Sequence, residues 1–305
     1  MAERAKDRWA EWLLRRRDGG DPEQREKALE FLRPIRDRIL RNAALEEGDT
    51  LLDVGAGEGL IAFGALDLVG ERGGVVFSDV SRDLLEHSRA LAEEAGVLGR
   101  CGFVEAPADD LSALGDASVD AVTTRSVLIY VEDKRRAFSE FRRVLKLGGR
   151  LSVFEPINRF NLPNHPADGS PFMGYDADPV RDLARRVWGV YRRRQPEGDP
   201  MLDFDERDLF SLAEGAGFGE VHLDYEARVA PLASAVSAGW GWGPSWETML
   251  RRSPNPKAPT LEEAMEEALD PEEAERLSDH LRPLVDRGEK TARAAVAYLW
   301  AVKTH

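Results

Sequence analysis

The chain reads as an α/β protein with a doubly wound sheet, and three features of its sequence carry that reading. Short apolar or β-branched runs (TLLDV, GGVVFSD, CGFVEA, VDAVTT, GRLSVFE) lack the alternation of half-exposed strands, so they predict a sheet covered on both faces. Helical patterns lie between them, in LIAFGALDLV, SRDLLEHSRALAEEAG and DKRRAFSEFRRVLKLGG. Alternating strand and helix calls for parallel strands joined by right-handed crossovers. The third feature is a glycine-rich turn, LLDVGAGEG, between the first strand and its helix.

Taken in order, residues 1 to about 45 predict helix, with Leu29, Leu32, Ile35, Ile39 and Leu40 at helical spacing and Pro34 as a point of kinking or restart. The strand-helix grammar follows, with Gly96 and Gly148 expected as left-handed C-caps of its second and third helices. After Glu155 the rhythm breaks into a stretch rich in Pro, Gly, Asn and Asp, with one helical island, PVRDLARRVWGVYRRR. DERDLFSLAEGAGF resumes as helix and EVHLDYEARVA as strand. A second interruption holds a Trp-rich stretch and the acidic helical segment LEEAMEEALDPEEAERLSDHLRPLV. ARAAVAYLWAVK closes the chain as a last buried strand. The expected organisation is an N-terminal helical lid over 1–45 and a core over 46–305. Insertions at about 156–203 and 231–291 are expected to form a substrate cap.

At 305 residues and 42% hydrophobic content the chain has the composition of a globular protein, and no apolar run approaches the roughly 20 residues that span a bilayer. A net charge of −14 disfavours nucleic acid as a partner, despite basic runs at Arg15–Arg17 and Arg192–Arg194 that read as solvated helix faces. Cys101 is the single cysteine, which excludes an internal disulfide and fits a reducing, cytoplasmic setting. Asp176 with Asp178 and Asp203 with Asp205 lack a full ligand set, so no metal is expected.

Gly55, Gly57 and Gly59 sit where a ligand approaching a strand-to-helix turn needs residues without a Cβ. The helix that follows offers unpaired N–H groups and its positive dipole end to a carboxylate. Leu60 occupies the place of the third glycine of a dinucleotide fingerprint. Asp53 ends the strand before the turn, where a carboxylate suits an ammonium and would gain a pyrophosphate nothing. Asp79, at the end of the second strand, is placed for ribose hydroxyls.

These residues resemble the class I S-adenosylmethionine-dependent methyltransferases, especially those of quinone and natural-product biosynthesis. The resemblance runs through Asp53, Gly55, Gly57 and Gly59, then FSDVS with Asp79 and Val80, then APADDL, where Ala108 and Asp109 match and Pro107 replaces the usual Asp. It continues through TTRSVLIYVEDKRRAFSEFRRVLKLGGRLSVFEP, placing Arg125 and Ser126 in the cofactor pocket. It implies S-adenosyl-L-methionine as cofactor and a seven-stranded Rossmann-like methyltransferase sheet whose last strand inserts antiparallel between the fifth and sixth. It covers about residues 50–156, returns at 205–228 and in the last strand, and leaves the insertions unmatched.

The activity expected is in-line transfer of a methyl group to O, N or C of a small molecule, with water excluded by the cap. Competing readings are a nicotinamide-dependent oxidoreductase, disfavoured by Leu60 and Asp53, and a noncatalytic S-adenosylmethionine-binding protein. Acceptor-side candidates are Tyr130, Glu155, Asn158, His165 and Tyr175; among them Glu155, His165 and Tyr130 are the expected catalytic groups. Trp240, Trp242 and Trp246 either pack the cap or wall an aromatic or partly apolar substrate.

Overall fold

The computed structural model describes residues 7–161, 170–239 and 243–305. Two compact units share the chain. Arg33–Arg159, Pro200–Glu226 and Ala295–His305 form the core unit, and Met1–Leu32, Phe160–Asp199 and Ala227–Ala294 form the accessory unit.

Along the chain, helix α1 (Pro22–Ala43) runs unbroken through Pro34. The expected alternation then appears as β1 (Thr50–Val54), α2 (Leu60–Val69), β2 (Gly74–Asp79), α3 (Arg82–Glu94), β3 (Cys101–Glu105), β4 (Val119–Arg125), α4 (Lys134–Val144) and β5 (Leu145–Pro156). Next come α5 (Arg181–Arg194), α6 (Glu206–Gly215), β6 (Glu220–Pro231), α7 (Leu261–Ala268), α8 (Pro271–Asp286) and β7 (Thr291–Val302).

All seven strands form one sheet in the order β3-β2-β1-β4-β5-β7-β6. The pairs β1–β2, β1–β4, β2–β3 and β4–β5 are parallel, whereas β7 lies antiparallel on β5 with Ala297 opposite Glu155. The topology is that implied by the resemblance. Strand order reverses between β1 and β4, so the crevice beyond their carboxyl ends is where such a sheet binds ligands. Ile39, Leu51, Ala62, Leu66, Phe77 and Phe154 are among the buried residues of the core unit, which explains the continuous apolar strands. Phe154 meets Tyr298 edge to face at 4.9 Å, fixing β7 against β5.

One expected boundary is wrong. Gly148 was expected to cap the helix before β5, but α4 stops at Val144 and β5 begins at Leu145. Leu145 pairs with Val119, the register then shifts, and Gly148 (φ 82°) donates its N–H to Lys303 O at 2.8 Å. The glycine absorbs an irregularity inside the strand. Gly96 (φ 71°) does follow the end of α3, whose cap residue is Ala95.

The accessory unit has its own apolar cluster, in which residues of α5, α7 and α8 such as Val187, Met265 and Leu277 join Phe172, Tyr175 and Trp246. Arg186 bridges to Glu273 (2.5 Å), and Arg193 and Arg194 reach Glu267, so part of the basic run is paired.

The acidic pairs have structural employment. Asp205 caps α6 in a capping box, Asp176 accepts the Asp178 N–H, and Asp178 pairs with Arg181 at 2.7 Å. Asp203 meets the Lys134 ammonium at 2.6 Å. That lysine is 6% exposed and also donates to Val131 O (2.8 Å) and Pro200 O (3.2 Å). It ties the start of α4 to the segment leading into α6. Lys134→Met strands both carbonyls and is expected to destabilise the protein by about 1–3 kcal/mol, measured by chemical denaturation; an unchanged midpoint would show that the tie contributes nothing.

Candidate functional site

Four strand ends meet around the crevice. Asp53 lies on β1 opposite Phe77 of β2 and Thr123 of β4, so both neighbours bury it, to 2% exposure. Thr123 Oγ1 donates to Asp53 Oδ1 at 2.9 Å, while Oδ2 is buried without a hydrogen-bond partner. Burial pushes the Asp53 carboxyl up to about 7, against the opposing pull of Thr123 and the Arg125 charge. A buried acid with one unsatisfied oxygen at a ligand crevice is a receptor for a donor, and an ammonium fits it.

In the glycine turn, Gly55, Gly57 and Gly59 have φ values of 67°, 55° and 81°, in the region L side chains seldom adopt. An added Cβ at Gly55 would lie 2.3 Å from Val127 Cγ2, and one at Gly59 would lie 2.6 Å from Phe63 and 2.8 Å from Phe77. Two of the glycines thus serve the protein's own packing as much as a ligand's approach. Gly57 donates its N–H to Asp79 Oδ2 (2.9 Å), and Asp79 Oδ1 accepts from Ser81 N at 2.9 Å. These two bonds fix the carboxylate at the end of β2. Beside it, Val80 is 48% exposed, an apolar surface next to the acid. Ala108 is buried and Asp109 half-buried just after β3.

Arg125 ends β4 and is half-buried; Ser126 follows with φ 57° and donates its N–H to Phe154 O at 2.9 Å. Glu155, fully buried near the end of β5, accepts from Val127 N and Leu128 N, each at 2.9 Å, through Oε1. Its Oε2 is buried and unpartnered. Burial pushes this carboxyl up to about 7, opposed by the amides of Leu128, Val127 and Ile129 and by Arg125. Tyr130 ends the 3-10 turn Leu128–Tyr130 and is half-buried. Asn158 is buried at the start of a four-residue helix after β5. All these residues belong to the core unit.

Tyr175 belongs to the accessory unit, where it is 1% exposed and paired in a β-bridge with Lys290; burial pushes its phenol up to about 12. Trp246 is likewise 1% exposed, in that unit's apolar cluster, so packing accounts for it. His165, Trp240 and Trp242 lie outside the described residues. Thr123 and Val127 were not anticipated. The adjacent hydroxyls of Thr123 and Thr124 at the end of an apolar strand were the available signal for Thr123; Val127 gave none, because its importance lies in the glycine it faces.

The raised Asp53 carboxyl has a stability consequence. Its folded value exceeds the unfolded one, so the folded state holds the extra proton between about pH 4 and 7, and stability falls as pH rises through that window. Asp53→Asn keeps the acceptor for Thr123 and removes the titration. The ligand-free variant is expected to exceed wild type by on the order of 2–4 kcal/mol at about pH 8 and to lose that advantage near pH 4. Denaturant midpoints across pH test this; parallel curves would mean that Asp53 does not titrate in this window.

The sequence model of the ubiE/COQ5 methyltransferase family matches residues 28–173. The chain is 30% identical over 201 residues to the ubiquinone/menaquinone biosynthesis C-methyltransferase UbiE of Escherichia coli, covering 60% of this chain and 76% of that one. It is 28% identical over 194 residues to UbiE of Francisella tularensis subsp. novicida, covering 60% and 72%. Among solved structures, the YcgJ protein of Bacillus subtilis superposes with a TM-score of 0.52 at 16% identity, over 88% of this chain and 98% of that one. The MccD protein does so with a TM-score of 0.52 at 14% identity, over 89% and 97%. Those two likenesses concern the fold; the sequence relatives concern descent. With its acid-ended strands, glycine turn and strand order, the chain belongs to the ubiE/COQ5 methyltransferase family and is an S-adenosylmethionine-dependent methyltransferase of small molecules.

Proposed function

We propose that the chain methylates a ring carbon of an electron-rich, partly apolar acceptor of the hydroquinone class, in the cytoplasm. The observation that carries this reading is the 30% identity to UbiE, whose name specifies C-methylation in quinone biosynthesis. The reading is consistent with the absence, among the described residues, of any helix long and apolar enough to cross a membrane.

S-adenosylmethionine, when bound, supplies a methyl group activated by its sulfonium. The residues present fit it: Asp53 would take the ammonium through its unsatisfied oxygen, and the glycine turn with the first amides of α2 would take the carboxylate. Asp79 would hold the ribose hydroxyls, and Val80, Ala108 and Asp109 would flank the adenine. Arg125 and Ser126 would line the pocket from β4. On the acceptor side, loss of a phenolic proton makes the hydroquinone ring carbon more nucleophilic, and the proton on the methylated carbon leaves afterwards to restore the aromatic ring. The His165 imidazole is the candidate to receive a proton, and Tyr130 offers its phenol O–H as a hydrogen bond to the acceptor oxygen. Incubation of the enzyme with S-adenosylmethionine and a demethylated quinol should give a product whose added methyl group is bonded to carbon by NMR. An O-methyl or N-methyl product would overturn the assignment.

The division of labour follows the two units: the cofactor residues above all lie in the core unit, and the accessory unit is proposed to govern the choice of acceptor. Asp79→Ala is expected to weaken S-adenosylhomocysteine binding at least about tenfold by calorimetry, through lost charge-assisted hydrogen bonds. Trp188→Leu, on α5 of the accessory unit where the ring packs against Phe172 and Tyr191, should raise the acceptor KM while leaving that affinity unchanged. The reverse pattern would refute the division.

A further inference from the structure

Glu155 stands at the end of β5 with no exposure, and its chemistry is directed at the neighbouring turn. Oε1 accepts the backbone N–H groups of Val127 and Leu128, the first donors of the 3-10 turn Leu128–Tyr130, at 2.9 Å each. No side chain supplies a cap from position 127 itself, because that residue is a valine. The carboxylate of β5 therefore does from outside what a Ser or Asp at the cap would do from within. The turn held in this way begins with Ser126 at φ 57° and carries Val127, whose Cγ2 fills the space a Cβ on Gly55 would need. Glu155 is thus tied to the cofactor turn through one intermediary.

We propose that Glu155 is a positioning residue: its carboxylate caps the turn after β4 and so sets Val127 against Gly55, giving the cofactor crevice its shape, and it is not the base of the reaction. The proposal rests on the cofactor reading only for where its effect is felt; the cap itself is a property of the ligand-free protein.

The test uses three variants of the full chain and three measurements. Amide hydrogen exchange at Val127–Ile129 is read without ligand, and S-adenosylhomocysteine affinity and turnover are read alongside. Glu155→Gln keeps a carbonyl acceptor, so exchange protection, affinity and turnover should stay within about threefold of wild type. Glu155→Leu leaves both N–H groups without their acceptor, so protection and affinity should each fall by about tenfold or more. Glu155→Asp, one methylene shorter, withdraws the accepting oxygen from both amides and gives the same two readings should the leucine variant not fold. Protection retained in the leucine or aspartate variant would overturn the proposal. So would a glutamine variant with intact protection and affinity whose turnover drops about a hundredfold, since that is the signature of a base. Wild-type protein that fails to bind S-adenosylhomocysteine would instead refute the cofactor reading, and the exchange data would still decide the cap.

Discussion

The contact between Val127 and Gly55 is the constraint on which the cofactor face of this protein depends. It joins the turn after β1 to the turn after β4, the two strand ends flanking the point where strand order reverses. Close packing leaves no room for a side chain at Gly55, and the positive φ would strain one in any case. Around this contact the buried polar groups fall into place. Asp53 is satisfied on one side by Thr123, Asp79 braces the glycine turn through Gly57, and Glu155 holds the turn that carries Val127. Each of these three acids is buried and also hydrogen-bonded to the backbone or to a neighbouring strand, which is the condition for tolerating it there.

Much of this was legible in the sequence, and the reasons can be given residue by residue. Asp53, Asp79 and the three glycines announce themselves because their spacing is local: strand, turn and helix follow within a few residues. The strands of the parallel sheet are readable because burial on both faces makes them continuously apolar. The boundary at Gly148 was not readable, since a glycine after a helical pattern is ordinarily a cap, and only the pairing of Leu145 with Val119 reveals a strand already under way. The partners of Glu155 were also hidden. They are backbone amides 27 and 28 residues earlier in the chain, and backbone donors carry no sequence signature.

The accessory unit illustrates the opposite limit. Trp246 was open to two readings, packing the cap or walling a substrate, and Tyr175 was an acceptor-side candidate; both are closed within that unit's own apolar cluster. Composition alone cannot separate a pocket from a core, because both are built from large apolar side chains. The family model's match ends at residue 173, so most of the accessory unit lies outside it.

The placement of β7 bears on how the protein is made. Synthesis runs from the N-terminus, so β1 to β5 and the whole cofactor edge leave the ribosome before Thr291–Val302 exists. Until then β5 is the rim of an unfinished sheet, its row of donors and acceptors open to any other extended chain. Most of the accessory unit's last long segment, Ala227–Ala294, is translated during that interval. Thr291–Val302 therefore acts as the closing stitch of the enzyme: a nascent chain stopped just before it would carry every cofactor residue named above and still present a bare strand edge to its surroundings.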